Sequence, residues 1–334
     1  MSEPKTIRAA AIQVEARVAD IAWNIGHASH LVDEAVAKGA ELVALPEFFT
    51  TCIVYDERVF SCSLPPENPA LDMLKEKARR HRIHVGGSYL EMRDGDVYNT
   101  YVFVEPDGTV HRHDKDLPTM VENAFYVGGR DSGLLQTSLG PVGAAVCWET
   151  VRTQTVKRLK GKVGLLMTGS HWWSEPGWKW ARGYWRRFHE GNGRLMERTP
   201  RIFAGLIGAP LLHAGHASVI EGGFLVLPGT RLAAPIRTQL MGETQIVDGD
   251  GNLLGRRRYE EGAGVVVVDI VLGATAPRTA LPPRFWIPKF SPMLHFQWYH
   301  QNAAGRAAYR WAKRTGRLKT WDGARNARRP EERL

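Results

Sequence analysis

The chain opens with three segments whose apolar residues follow the spacing of a strand, a helix and a second strand. Residues 6–14, TIRAAAIQV, are small and β-branched, which is typical of a buried strand. Apolar residues then recur at helical spacing through 21–38 and stop at Gly39, a residue type favoured at helix C-termini. The run ELVAL at 41–45 predicts a second strand. Together these segments predict a parallel β-α-β unit.

The same alternation continues along the chain, with turns at glycine and proline. A charged amphipathic segment at 71–81 predicts a helix, and two strands at 83–91 and 97–105 are joined by Asp94-Gly95, a hairpin signal. Residues 217–240 are apolar and contain glycine and proline, and we expect a loop there. Further strands are predicted at 142–147, 163–168, 209–214 and 264–271, and further helices at 150–160 and 195–206. The pattern predicts an α/β protein with a mixed sheet.

The regular pattern divides the chain into two parts. Residues 1–274 contain the alternating strands and helices, whereas 275–334 are rich in proline, aromatic residues and arginine. After Pro292 the extension could form a basic helix with scattered aromatic residues. Such a helix could lie on an anionic membrane. We favour the alternative, an arm that covers apolar surface on a partner subunit, because the aromatic residues do not form one face.

The charge and composition add little to this picture. The 334 residues are 43% hydrophobic and 24% charged, which is typical of a globular protein with a large core. Much of the net charge of +9 comes from the tail, 306–329. A basic excess can indicate nucleic-acid binding, but no helix-turn-helix, zinc-finger or RNP-like pattern accompanies it. We therefore expect a solvated basic face and no nucleic-acid partner.

The cysteines and the N-terminus indicate the compartment. Three cysteines, Cys52, Cys62 and Cys147, cannot form a closed disulfide framework, and no Cys or His spacing suggests a metal site. The N-terminus lacks the apolar core of a secretory signal, and no apolar run is long enough to span a membrane. We expect a cytoplasmic protein without a metal or cofactor, and no membrane association.

Three polar residues stand at predicted strand ends and have a shared chemical logic. Cys147 ends the strand at 142–147 and could attack a carbon bound to nitrogen. Glu47, after the strand at 41–45, could take the thiol proton and return it to a leaving amine. Lys115 could stabilise an oxyanion and depress the pKa of the thiol. Taken singly, each also fits a structural role: a core cysteine, a helix N-terminal carboxylate and a surface lysine.

The local sequences around these residues resemble the nitrilase, or carbon–nitrogen hydrolase, superfamily. The resemblance is carried by ALPEFF around Glu47, HDKDLPTMVENAFYVGG around Lys115 and GAAVCWE around Cys147. It implies a four-layer αββα sandwich and a Glu-Lys-Cys triad, with Glu47 as general base, Lys115 as oxyanion stabiliser and Cys147 as nucleophile. It also implies a second glutamate that orients the site, here Glu122. The backbone N–H of Trp148 would complete the oxyanion site.

The resemblance leaves the substrate open. The triplet Cys147-Trp148-Glu149 is similar to true nitrilases, whereas LPEFFTT is similar to amidases. We expect hydrolysis of a small amide to a carboxylic acid and ammonia through a thioester. A nitrilase, acyl transfer to an amine, and a non-catalytic scaffold are the alternatives. Trp172 and Trp173 follow the next strand and could line the substrate pocket. The superfamily also implies a homo-oligomer, a dimer or larger, in which 150–160 and 178–206 are candidate contact surfaces.

Overall fold

The computed structural model describes residues 5–273, 276–277, 280–282 and 292–323. The strands are β1 (Thr6–Val14), β2 (Leu42–Ala44), β3 (His84–Arg93), β4 (Asp96–Val104), β5 (Val110–Asp114), β6 (Leu134–Thr137), β7 (Gly140–Val146), β8 (Leu165–Gly169), β9 (Leu211–His216), β10 (Val219–Leu225), β11 (Ala233–Gln239), β12 (Thr244–Val247), β13 (Leu253–Arg257) and β14 (Gly264–Val271). The helices are α1 (Ile21–Ala37), α2 (Pro69–His81), α3 (Thr153–Leu159), α4 (Arg182–Ile207) and α5 (Pro292–Arg314).

Twelve of the strands form two sheets that are joined where β1 pairs with β9. The first sheet has the order β5-β4-β3-β2-β1, with β14 antiparallel to β1. The second has the order β6-β7-β8-β9, continued by β12 and β13. Gln13 and Val14 of β1 pair with Gly215 and His216 of β9 and join the sheets. Strands β1 and β2 are parallel, as the opening β-α-β pattern predicts.

Alternate residues of β1 show how the sheets and helices are layered. Ala9 and Ala11 are buried with residues of β7 to β9, in the core between the two sheets. Ala10 and Ile12 point the other way and are buried against α1 and α2. A third core packs α3 and α4 on the outer face of the second sheet. This order of layers confirms the four-layer αββα sandwich.

The expected loop at 217–240 is instead a hairpin, because β10 and β11 pair antiparallel along their whole length. The loop was expected because glycine and proline are uncommon inside strands. In the structure the glycines have a packing role. A Cβ on Gly223 would lie 2.7 Å from the Cβ of Ala233, so only glycine allows the strands to approach this closely. Helix α4 also begins at Arg182, well before the predicted start at 195.

Within the C-terminal extension the predicted helix is present, as α5, and it packs on its own chain. Ala304, Ala308 and Ala312 are buried in the core that also contains α1 and α2. The Tyr309 hydroxyl accepts a hydrogen bond from the backbone N–H of Val97 at 3.1 Å. The division at residue 274 and the arm that reaches a partner subunit stay predictions. Among the described helices, none has the length and apolarity needed to cross a membrane.

Candidate active site

Glu47 lies just beyond the end of β2 and is completely buried. Its Oε1 accepts hydrogen bonds from Lys115 Nζ and Asn99 Nδ2, each at 2.9 Å. Its Oε2 accepts a third from the backbone N–H of His171 at 2.8 Å. Residues from several separate segments of the chain therefore fix the position of this carboxylate.

Lys115 follows β5 and places its ammonium between two carboxylates. Besides Glu47, Lys115 Nζ donates to Glu122 Oε2 at 2.7 Å. Glu122 lies on a 3-10 helical turn, Met120–Ala124, and the same oxygen accepts hydrogen bonds from the backbone N–H of Thr119 and from the Tyr126 hydroxyl. The lysine thus links the two glutamates, which sequence reasoning placed in one site.

Cys147 directly follows β7 and begins a second 3-10 helical turn, Cys147–Val151. Its Sγ, one oxygen of Glu47 and one oxygen of Glu122 all lie within 4.8 Å of one another. Cys147 has a φ of 52°, a left-handed conformation that is rare outside glycine, and Met120 has the same φ. Such strain clusters at functional sites when the surrounding structure holds it in place.

The electrostatics of the site correct one expectation. Burial raises the pKa of Glu47 to about 7, and the charge of Glu122 adds to this while Lys115 opposes it. Burial also raises the pKa of the Cys147 thiol, and the nearby Glu47 raises it further. Lys115 lowers this pKa, as predicted, but burial and Glu47 outweigh it, so the predicted net depression is wrong. Burial alone would lower the pKa of Lys115, but Glu122 and Glu47 hold it well above its usual value.

A buried ionic cluster behind Cys147 was missed at the sequence level. Glu149 Oε2 accepts hydrogen bonds from the backbone N–H of Val146 and from His113 Nε2, each at 2.8 Å. Burial opposes the charge on His113, but Glu149 and then Asp131 raise its pKa to about 10. Arg158 also donates a hydrogen bond to Glu149 Oε1, at 3.1 Å. The sequence feature that could have indicated this cluster is His113, which stands two residues before Lys115 in the motif around the lysine.

Other buried histidines support the site without facing a carboxylate side chain. His216 Nε2 donates to the backbone carbonyl of Glu47 at 2.6 Å. His213 lies between the hydroxyls of Thr168 and Ser170, at 2.7 Å from each. Burial lowers the pKa of His216 to about 4 and that of His213 to about 3, so both are neutral near pH 7.

A cavity of about 110 Å³ opens onto Cys147 and Glu122. Trp148, Trp172 and Trp173 all line it, and their role in substrate binding stays a prediction. Helix α5 supplies one wall, and its Trp298 stacks on Trp148 with ring centroids 4.9 Å apart and planes 4° from parallel. The aromatic lining consists of Trp148, Trp172, Trp173, Trp178, Trp185, Phe188 and Phe224.

The grouping of Glu47, Glu122 and Cys147 has the spacing of a metal-ligand set. Lys115 Nζ, however, donates to both carboxylates and so stands where a bound cation would contact them. The fixed ammonium already balances the charge of the buried glutamates.

This fold and site define a class of protein. The family model described as carbon-nitrogen hydrolase matches residues 8–180, more than half of the chain, and the chain belongs to that family. A nitrilase from Paraburkholderia phymatum is 29% identical over 165 residues, which cover 45% of this chain and 48% of the nitrilase. The chain therefore matches about half the length of that relative.

One further relative and one solved structure extend the comparison. An N-carbamoylputrescine amidase from Arabidopsis thaliana is 27% identical over 212 residues, covering 59% of this chain and 70% of the amidase. The fold is similar to that of an amidase variant from Nesterenkonia sp. AN1, with a TM-score of 0.60 and 19% identity over 79% of this chain and 90% of the amidase. That amidase carries the acetamide moiety of fluoroacetamide at its active-site cysteine. The chain is therefore a member of the nitrilase superfamily, with relatives among both amidases and nitrilases.

Proposed function

We propose that the protein hydrolyses the C–N bond of a small amide to a carboxylic acid and ammonia. The observation that carries the proposal is the convergence of Glu47, Lys115, Glu122 and Cys147, of which Glu122 and Cys147 line one cavity. Cys147 is the nucleophile, Glu47 the general base and then general acid, and Lys115 the oxyanion stabiliser. Glu122 orients the lysine.

The first step forms a bond between Cys147 Sγ and the amide carbonyl carbon. Because the buried thiol is neutral at rest, Glu47 must take its proton as the sulfur attacks. A pKa of about 7 suits Glu47 to this task, since a base works best near the pH at which it operates. The ammonium of Lys115 and the backbone N–H of Trp148 stabilise the negative charge on the carbonyl oxygen.

The second step breaks the C–N bond. Glu47 returns its proton to the leaving nitrogen, ammonia departs, and the acyl group remains on Cys147 as a thioester. Glu47, ionised again, then takes a proton from a water molecule as the water attacks the thioester. The acid leaves and the proton returns to the thiol. Lys115 stays protonated throughout because the two glutamates hold its pKa high.

The test combines product and intermediate analysis. A panel of amides is screened for ammonia release, and active amides are mixed with the protein for intact mass measurement. The expected result is ammonia together with an acyl adduct on Cys147, and neither in a Cys147→Ala variant. Ammonia release that survives in Cys147→Ala would end the proposal.

A nitrile substrate is the second candidate, favoured by the Cys147-Trp148-Glu149 triplet and by the similarity to a nitrilase. The thiol would add to the C≡N carbon, and water would release the acid and ammonia. Matched amide and nitrile pairs, followed by mass spectrometry of the products, separate the two activities. Added hydroxylamine, which would give a hydroxamate, tests acyl transfer from the same thioester.

A further inference from the structure

Gln301 lies in the wall of the cavity, on the side formed by α5, and is only 1% exposed. Its Nε2 donates to the backbone carbonyl of Leu225 at 2.7 Å and lies 3.0 Å from His300 Nδ1. His300 Nε2 lies 3.0 Å from the backbone carbonyl of Val226, which can only accept. The ring proton of His300 is therefore on Nε2, and Nδ1 accepts from Gln301.

This chain of hydrogen bonds fixes the orientation of the Gln301 amide. Both N–H groups on Nε2 have acceptors, and a reversed amide would place Oε1 against the carbonyl of Leu225, two acceptors facing each other. The observed orientation leaves Oε1 buried with no donor among the described residues. Because buried polar atoms are nearly always paired, a bound ligand is the natural source of the donor.

The rest of the wall indicates what carries that donor. Five tryptophans and two phenylalanines line the cavity, and aromatic side chains pack favourably against a flat ring. The volume of about 110 Å³ is close to the roughly 150 Å³ of an apolar cavity that holds benzene. The space beside Cys147 therefore matches one ring rather than a large acyl group.

We propose that the substrate is the amide of an acid whose acyl group carries a single aromatic ring with a hydroxyl or amino group, and that Gln301 Oε1 accepts a hydrogen bond from that group. The inference rests on the proposed amide hydrolysis and makes Gln301 a specificity-determining residue. The apolar walls bind the ring, and Gln301 selects the polar substituent.

The test uses phenylacetamide, its three ring-hydroxylated isomers and the three matching methoxy compounds, with acetamide for comparison. A methoxy group keeps the oxygen but cannot donate. For at least one hydroxyl isomer, kcat/KM should be about tenfold higher than for its methoxy partner and for phenylacetamide. A factor of about ten corresponds to the free energy of one hydrogen bond. In Gln301→Met the ratio of kcat/KM between this hydroxyl isomer and its methoxy partner should fall to about one, even if kcat/KM for phenylacetamide changes.

The control variant is Tyr299→Leu, since Tyr299 is 72% exposed on the same helix, and its rates and ratio should match the wild type. Equal kcat/KM for every hydroxyl and methoxy pair would overturn the role of Gln301. Faster hydrolysis of acetamide than of the ring-containing amides would overturn the proposal that the substrate carries an aromatic ring. If no amide releases ammonia, the proposed function fails separately. The same pairs are then titrated into Cys147→Ala by calorimetry, where tighter binding of a hydroxyl isomer supports the inference and equal or absent binding overturns it.

Discussion

The side-chain oxygen of Asn302, on α5, accepts a hydrogen bond from the backbone N–H of Met120 at 2.9 Å. It accepts a second from Asn123 Nδ2 at 3.0 Å. Met120 is one of the left-handed residues, and its turn carries Glu122. The C-terminal helix therefore holds the strained turn that presents Glu122 to Lys115.

Asn302→Ala should loosen this turn and displace Glu122. We expect kcat to fall by about tenfold or more, from the loss of two hydrogen bonds. Asn302→Asp keeps the oxygen that accepts both hydrogen bonds and should restore most of kcat. Steady-state kinetics on both variants checks this. A lower melting temperature with kcat unchanged would mean that Asn302 serves stability only.

The pH dependence of activity should report Glu47. Since Glu47 acts as a base only when ionised, kcat/KM should rise with pH through about 7 in the wild type. The charge of Glu122 raises the pKa of Glu47, so Glu122→Gln should move this acidic limb to lower pH even though the maximal rate falls. A pH–rate profile of each protein measures the shift. An acidic limb that stays in place would show that Glu122 does not interact with the general base.

His113 should contribute pH-dependent stability. Its pKa is raised from 6.5 to about 10 in the folded protein, so its contribution is complete below about pH 6.5 and disappears as the pH rises through 10. His113→Gln should lower the free energy of unfolding by about 3 kcal/mol at pH 6, because Glu149 loses one of its two charged partners. That difference from the wild type should shrink towards pH 10. Urea denaturation across this range tests it, and a constant difference would argue against a charged His113.

The sequence predicts the α/β class and the three converging residues well because both depend on local signals, whereas the four-layer sandwich is implied by the resemblance to the nitrilase superfamily. Strand ends in an α/β sheet meet at one edge, so Glu47, Lys115 and Cys147 could be placed together before any coordinates. The thiol pKa could not be predicted, since it depends on burial that a sequence does not state. Asn302 and Gln301 were also missed, because their contacts join residues about 180 and 76 positions apart.

The extension after residue 274 should stabilise the fold and contribute to activity. Removing it should lower the melting temperature by more than about 5 °C, because α5 buries aromatic and small residues against its own chain. Activity should fall as well, since α5 forms a wall of the cavity. Thermal unfolding and ammonia release on the truncated protein measure both effects. Unchanged stability would mean that α5 does not pack as the structure shows.

Whether the extension also acts as a dimer arm is tested on the outer face of α5. Phe296 and Tyr299 are 64% and 72% exposed, so replacing both with serine leaves the contacts of α5 with its own chain in place. If this face contacts a second copy of the chain, analytical ultracentrifugation should show a larger monomer fraction for the double variant than for the wild type. The melting temperatures of the two proteins are compared at a concentration where both are monomeric, and there they should be similar. A dimer that persists unchanged in the double variant and in the truncated chain would exclude the arm. If the full-length protein instead floats with anionic liposomes and the truncated chain does not, the exposed aromatic residues face a membrane surface.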